Sequence, residues 1–187
     1  QAVLKKYDVL MIADEVICGF GRTGNMWGCE TFNIQPDILV CAKALSSAYL
    51  PISAVMVSDK VYQGIAEGTA DGGPPFGHGY TYGGHPVSAA VAVETLKIYE
   101  EIGMVGHVQR ISPLMQDGLR QFKDHPLVGE VRGVGLVAAV ELVEDKASKK
   151  AFDPSRKVGA FLDNLAKENG MIVRAMGDSV GFTPPLI

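Results

Sequence analysis

Two residues of this chain combine a reactive type with a telling position. Lys43 follows the apolar run Ile38-Leu39-Val40-Cys41-Ala42, and Asp14 follows Val9-Leu10-Met11-Ile12-Ala13. Both runs have the length of a buried strand, so an amine and a carboxylate would each stand at a strand end. A lysine in apolar surroundings keeps a fraction of neutral amine, and neutral amines attack carbonyl carbon. Leu39, Val40 and Cys41 supply such surroundings, while Ala42, Ala44, Ser46, Ser47 and Ala48 leave room beside the amine. A carboxylate facing that amine could hold a small cofactor between the two. Taken singly, each is an ordinary solvated side chain.

The elements that must position them follow from the pattern. Val9 to Ala13, Ile38 to Ala42 and Ile52 to Val57 alternate little, which predicts strands covered on both faces. Their connections are too short for every one to be a helical crossover, so a largely parallel sheet with some reversed pairing is expected. Gly68 to Gly84 holds seven glycines and two prolines and reads as a functional loop. Pro86 fits a first helical position, and Val87 to Glu101 continues a helix that Gly103 ends.

Beyond Gly103 the character changes. Val105, Val108, Ile111, Leu114, Met115, Leu119 and Phe122 recur at spacings of three and four, as on the inner face of a helix. Glu130 to Arg132 and Leu136 to Leu142 read as a strand pair hinged at Gly133 and Gly135. Asp153 and Pro154 read as the N-cap and first position of a helix that turns Val158, Phe161, Leu162 and Leu165 inward and ends at Gly170. Met171 to Arg174 and Ser179 to Thr183 complete the strands. The expected fold class is α/β, with a domain over 1–103 and a smaller α+β domain over 104–187.

Composition narrows the function. Net charge is −4 with no basic block, which disfavours nucleic-acid partners. No run reaches the roughly 20 apolar residues of a membrane span. Three cysteines, an odd number without metal-ligand spacing, suit free thiols in a reducing compartment such as the cytoplasm. Cys41 reads as a core residue. His78 and His85 lack partners at ligand spacing, so they read as structural and no metal site is expected. The helix-like start at Gln1 and the uncapped stop at Pro184-Pro185-Leu186-Ile187 lead to the expectation of a piece of a longer protein.

Two motifs invite nucleotide readings. Gly19-Phe20-Gly21-Arg22-Thr23-Gly24 fits G-x-G-x-x-G. Glu15 to Cys18 separate it from the strand, no helix pattern follows, and the ribose-binding acid is missing at its offset. Met11-Ile12-Ala13-Asp14-Glu15 imitates a nucleotide hydrolase, but the chain has no G-x-x-x-x-G-K-[ST] to cradle phosphate.

Together, Asp14-Glu15-Val16 with Gly19 to Gly24, and Pro36-Asp37 through Lys43, resemble the signature of class III aminotransferases. These enzymes use pyridoxal 5′-phosphate (PLP) on the fold type I scaffold of PLP-dependent transferases. The resemblance implies the end of the large mixed-sheet domain followed by a small C-terminal domain. It also implies roles. Lys43 is similar to the lysine that forms the Schiff base with the cofactor and then moves a proton between substrate carbon and cofactor carbon. Asp14 resembles the carboxylate paired with the pyridine nitrogen, where it favours the protonated, electron-withdrawing ring. Val16 resembles the side chain packed on that ring.

Tyr80-Thr81-Tyr82-Gly83-Gly84-His85-Pro86 resembles the segment that reaches the neighbouring subunit's cofactor. A homodimer is implied, with Tyr80 and Thr81 binding cofactor and the Thr81 hydroxyl on its phosphate. The plainer reading is a loop whose Thr81 caps the following helix. Arg174 resembles the arginine of ω-transaminases that grips the carboxylate of the amino-acid partner and swings aside for an apolar amine. Ser46-Ser47, where many relatives carry two glycines, and Pro51-Ile52-Ser53-Ala54-Val55 are similar to the amine:pyruvate branch. The implied reaction is ping-pong transfer of an amino group from an amine or ω-amino acid to a keto acid such as pyruvate. Ornithine- or aminobutyrate-type transamination, decarboxylating transamination, an aminomutase and a non-catalytic binding protein are the alternatives.

Overall fold

In the computed structural model, which describes residues 1–187, the chain divides by its internal contacts into residues 1–21 with 25–105, and residues 22–24 with 106–187. The first unit runs through α1 (Ala2–Lys6), β1 (Ile12–Asp14), α2 (Gly28–Thr31), β2 (Ile38–Cys41), β3 (Ala54–Val57), α3 (Asp59–Ala70) and α4 (Pro86–Glu101). Its sheet has the order β1-β2-β3. β1 and β2 are parallel, with Ile12 opposite Ile38 and Asp14 opposite Val40. β2 and β3 are antiparallel, with Cys41 opposite Ala54. Both kinds of pairing were expected, but the sheet divides evenly between them and is not largely parallel.

The cover is different. Ile12 is 61 % exposed and Val55 64 %, so this sheet is not buried on both faces by these residues. Non-alternating apolar character shows that a strand tolerates burial; it does not supply the cover. β1 is also shorter than its apolar run. Before it, Asp37 ties the strand starts together, its carboxylate accepting from the Met11 N–H at 2.8 Å.

Helix α3 was not foreseen, and it takes Gly68, Thr69 and Ala70 out of the expected loop. It buries none of its residues; Val61, Tyr62 and Ile65 share one face, but Gly64 and Gly68 lower its helix propensity. α4 begins at Pro86 as expected. Its cap is His85, whose Nδ1 accepts from the Val87 N–H at 3.3 Å, and not Thr81.

In the second unit, α5 (Met104–Arg120) leads to β4 (Val128–Val134), β5 (Val137–Leu142), α6 (Val158–Glu168), β6 (Arg174–Met176) and β7 (Ser179–Phe182). The sheet order is β4-β5-β7-β6 with every neighbour antiparallel. Ala138, Val140 and Val180 form the buried layer. On α5 the buried stripe runs Val108, Ser112, Gln116. Leu114, expected inside, is 77 % exposed because two residues from Ser112 and from Gln116 is the opposite side of a helix. The Gln116 amide instead donates to the Gly135 carbonyl at 2.9 Å.

Asp153-Pro154 starts only a single 3-10 turn, with Asp153 accepting from the Ser155 N–H at 2.9 Å. Lys157, at φ 49°, redirects the chain before α6 begins. The helix face is thereby rotated: Gly159 and Ala166 are buried, and Phe161 is 66 % exposed. Arg174 opens β6 where the sequence had it closing a strand. No helix is long and apolar enough to cross a membrane.

Candidate active site

Parallel pairing of β1 with β2 brings the two chemical residues to one edge. Asp14 is the last residue of β1 and lies opposite Val40; Lys43 follows β2 by two residues. The carboxyl ends of adjacent parallel strands are where α/β sheets bind ligands. The Asp14 carboxylate is oriented by one bond, from the Val16 N–H to Oδ1 at 3.0 Å, which leaves Oδ2 open. Both Asp14 and Lys43 are exposed, whereas the sequence suggested an apolar enclosure for the lysine. Cys41 and Leu45 take the interior positions on either side, and the turn between them projects the amine outward.

That turn is conformationally unusual. Lys43 has φ 45°, and Ser47 and Ala48 have φ 49° and 63°. Left-handed backbone at non-glycine residues costs roughly 1–2 kcal/mol each and collects at functional sites. Internal bonds hold it: Leu45 N–H to Ala42 O at 3.0 Å, Ser46 N–H to Lys43 O at 3.2 Å and Ala48 N–H to Lys43 O at 3.3 Å. The buried Ser46 donates its hydroxyl to Leu50 O at 2.6 Å. From α4, the Tyr99 hydroxyl donates to Ala44 O at 2.8 Å.

Sequence reasoning missed Glu15. It is 3 % exposed, and its carboxylate accepts from the Gly28 N–H at 2.8 Å and the Cys29 N–H at 2.6 Å. Its own N–H donates to Val40 O and its carbonyl accepts from the Gly19 N–H. Gly19 must be glycine there, since a Cβ would stand 2.8 Å from the Glu15 carbonyl oxygen and 2.9 Å from the Trp27 ring. The available signal was two consecutive acids at a strand end: extended backbone sends one outward and one inward. Burial first, and then the Glu15 charge, pushes the Cys29 thiol above its ordinary range; burial does the same for Cys41. The three cysteines form no disulfide.

The glycine-rich motif is structural here. Arg22 donates to Leu136 O at 3.0 Å and Pro184 O at 2.5 Å, and the Gln109 amide donates to Gly24 O at 2.7 Å. Tyr80 and Thr81 lie in the exposed segment after α3, in a turn closed by the Gly83 N–H on Tyr80 O at 2.9 Å. The His78 ring packs edge-on against Tyr80 at 5.4 Å. Neither Tyr80 nor Thr81 hydrogen-bonds the Asp14 or Lys43 segments.

Arg174 stands on the sheet of the second unit, exposed and in no ion pair. Register places Arg132, Ala139, Gly181 and Arg174 in one row across the four strands, hence on one face. Arg132 is neutralised by Glu130 at 3.1 Å and Glu141 at 2.6 Å. Arg174 pairs with Gly181, which has no side chain to engage its guanidinium.

A primary amine on a strained turn and a carboxylate with one open oxygen form a donor set. It fits a cofactor bearing an aldehyde and a protonatable ring nitrogen.

Known proteins resemble the chain along its whole length. The family profile described as Aminotransferase class-III matches residues 1–187. Gamma aminobutyrate transaminase 3, chloroplastic, of Solanum lycopersicum is 51 % identical over 187 residues, which is 100 % of this chain and 36 % of that protein. An uncharacterized aminotransferase of Sinorhizobium fredii is 51 % identical over 190 residues, covering 100 % of this chain and 40 % of that one. Among solved structures, the omega transaminase from Pseudomonas jessenii in complex with PMP superposes with a TM-score of 0.92 at 55 % identity, covering 100 % of this chain and 41 % of that one. A transaminase with L-ala gives 0.93 at 55 % identity, with 100 % and 44 % covered. The chain thus spans 36 % to 44 % of the length of these proteins.

Proposed function

This chain belongs to the class III aminotransferases, and from that membership we propose that it carries the cofactor-binding lysine and carboxylate of a PLP-dependent transaminase. The donor is an amine or ω-amino acid and the acceptor a keto acid, pyruvate first. The observation that carries this reading is the parallel register of Asp14 with Val40, which sets carboxylate and lysine at one sheet edge.

PLP, when bound, supplies an electron sink for carbanion character at the substrate carbon. The chain's own residues do the rest. Lys43 Nζ would hold the cofactor by its aldehyde carbon and would take up and return the proton at the donor carbon. The open Asp14 Oδ2 would accept from the ring nitrogen and keep a proton there, since a nearby negative charge favours the cationic ring. Val16 would pack on the ring. Tyr80 and Thr81 serve the neighbouring subunit of a homodimer, with the Thr81 hydroxyl on the phosphate. Arg174 grips the keto-acid carboxylate in one half-reaction and moves aside in the other.

The relatives' names support the substrate class. Gamma aminobutyrate transaminase names an ω-amino acid donor, and L-ala in one solved structure fits pyruvate as the acceptor that becomes alanine. An aminobutyrate-type donor is therefore our second reading, and product analysis separates the two. We assign residues 1–103 to the end of the large domain and 104–187 to the small one. Three cysteines without a disulfide suit a reducing compartment, for which we take the cytoplasm, although relatives include chloroplastic and mitochondrial proteins.

The test is an absorbance spectrum of the full-length protein with PLP, before and after 1-phenylethylamine or 4-aminobutyrate. A visible band that is absent in Lys43→Ala and converts on adding donor is the expected result. A Lys43→Ala protein with wild-type turnover would sink the assignment.

A further inference from the structure

Lys43 is useful only if its turn stands in one place. The bonds inside the turn fix its shape, but they would close equally well if the whole turn tilted on the end of β2. A tie to another element is needed to set its position, and α4 provides one. The Tyr99 hydroxyl, in the last turn of α4, donates to the carbonyl of Ala44, the residue next to the lysine, at 2.8 Å.

Tyr99 also faces the other half of the site. Its ring lies 6.5 Å from that of Phe20, and Phe20 lies 4.8 Å from Trp27. Phe20 is buried and has φ 58°, so it too is held in a left-handed conformation. It belongs to the loop that Glu15 locks directly after Asp14, through the Gly19 N–H on the Glu15 carbonyl and the Gly28 and Cys29 amides on its carboxylate. One tyrosine therefore touches the lysine turn with its hydroxyl and the Asp14 loop with its ring.

We propose that Tyr99 is a positioning residue: its hydroxyl, on Ala44 O, fixes the Lys43 turn relative to the Asp14 loop and so sets the efficiency of proton transfer by the lysine. The proposal rests on the function proposed above. It places no part of Tyr99 on substrate, so substrate affinity should be indifferent to the hydroxyl. Proton transfer should not be, since a displacement of about 1 Å at a reacting group costs on the order of 10²-fold in rate.

Tyr99→Phe in the full-length holoenzyme keeps the ring and removes the tie. The expected result is kcat lower by about tenfold, with KM for amine and keto acid within about twofold, and a displaced pH midpoint for the visible cofactor band. In the cofactor-free protein, amide exchange over residues 43–48 should accelerate about tenfold while residues 12–14 keep their wild-type rate. Wild-type kcat and wild-type pH midpoint in Tyr99→Phe would overturn the proposal, even with lowered stability. Loss of kcat in Tyr99→Leu alone would also overturn it, because ring packing would then be the whole role. A wild-type protein without a Lys43-dependent band refutes the transaminase reading separately. In that case unequal exchange over 43–48 still upholds the tie and equal exchange removes it.

Discussion

Asp14 and Glu15 are neighbours of one chemical class with opposite surroundings. Asp14 faces out with one carboxylate oxygen open, while both oxygens of Glu15 are taken by backbone amides in the interior. Removing an acceptor from a buried N–H costs roughly 1–3 kcal/mol. Glu15→Gln, which turns a carboxamide NH2 toward one of those backbone N–H groups, should therefore lower the unfolding free energy of the full-length protein by about 2 kcal/mol, read from urea midpoints at constant m. An unchanged midpoint would mean that the clamp contributes nothing. On the second unit, Arg174→Ala should raise KM for pyruvate at least about tenfold and leave KM for an apolar amine within about twofold; equal changes would remove its role. Residue identities were the most legible level of this chain, because Lys43 and Asp14 announce themselves by type at the ends of apolar runs. Their exposure, and the clamp by Glu15, were not legible. Both depend on which neighbours occupy the interior, and the pattern along one strand does not name those neighbours.

At the level of elements, what could be read were features with a local cause. β2 coincides with its apolar run to within a residue, and Pro86 marks the start of α4. What could not be read were elements whose cause is tertiary or whose local signal is weakened by glycine. α3 buries nothing, and α6 starts four residues after Pro154 because Lys157 bends the chain. The displaced start puts Gly159 against the β6–β7 turn, where a Cβ would stand 2.0 Å from the Gly177 carbonyl oxygen. Asp178 completes that junction by accepting from the Gly159 N–H at 3.1 Å. Gly159→Ala must push helix from turn, and overpacking of this kind costs about 1–3 kcal/mol. Thermal unfolding of that variant should begin at a lower temperature by several degrees; an unaltered melting curve would show that the turn yields freely.

For the molecule as a whole, the feature with the widest reach is the parallel pair β1 and β2. Residues 15–37 must carry the chain back to the starting edge, and their one helix, α2, is four residues long. Most parallel connections contain a helix of substantial length that forms early and locally. This one has its stiffness from Glu15 on the Gly28 and Cys29 amides and from Phe20 against Trp27, contacts that exist only after the loop has closed on itself. Closing non-local contacts before any local reward is slow. During refolding of the full-length protein, capacity to take up PLP should therefore lag behind the recovery of far-ultraviolet circular dichroism, and Glu15→Gln should lengthen that delay. Simultaneous recovery would show that the strands find their register without help from the crossover. If the delay is seen, the site is the last thing this sequence builds, and the time a newly made chain spends unable to hold its cofactor is set by a buried carboxylate that never meets it.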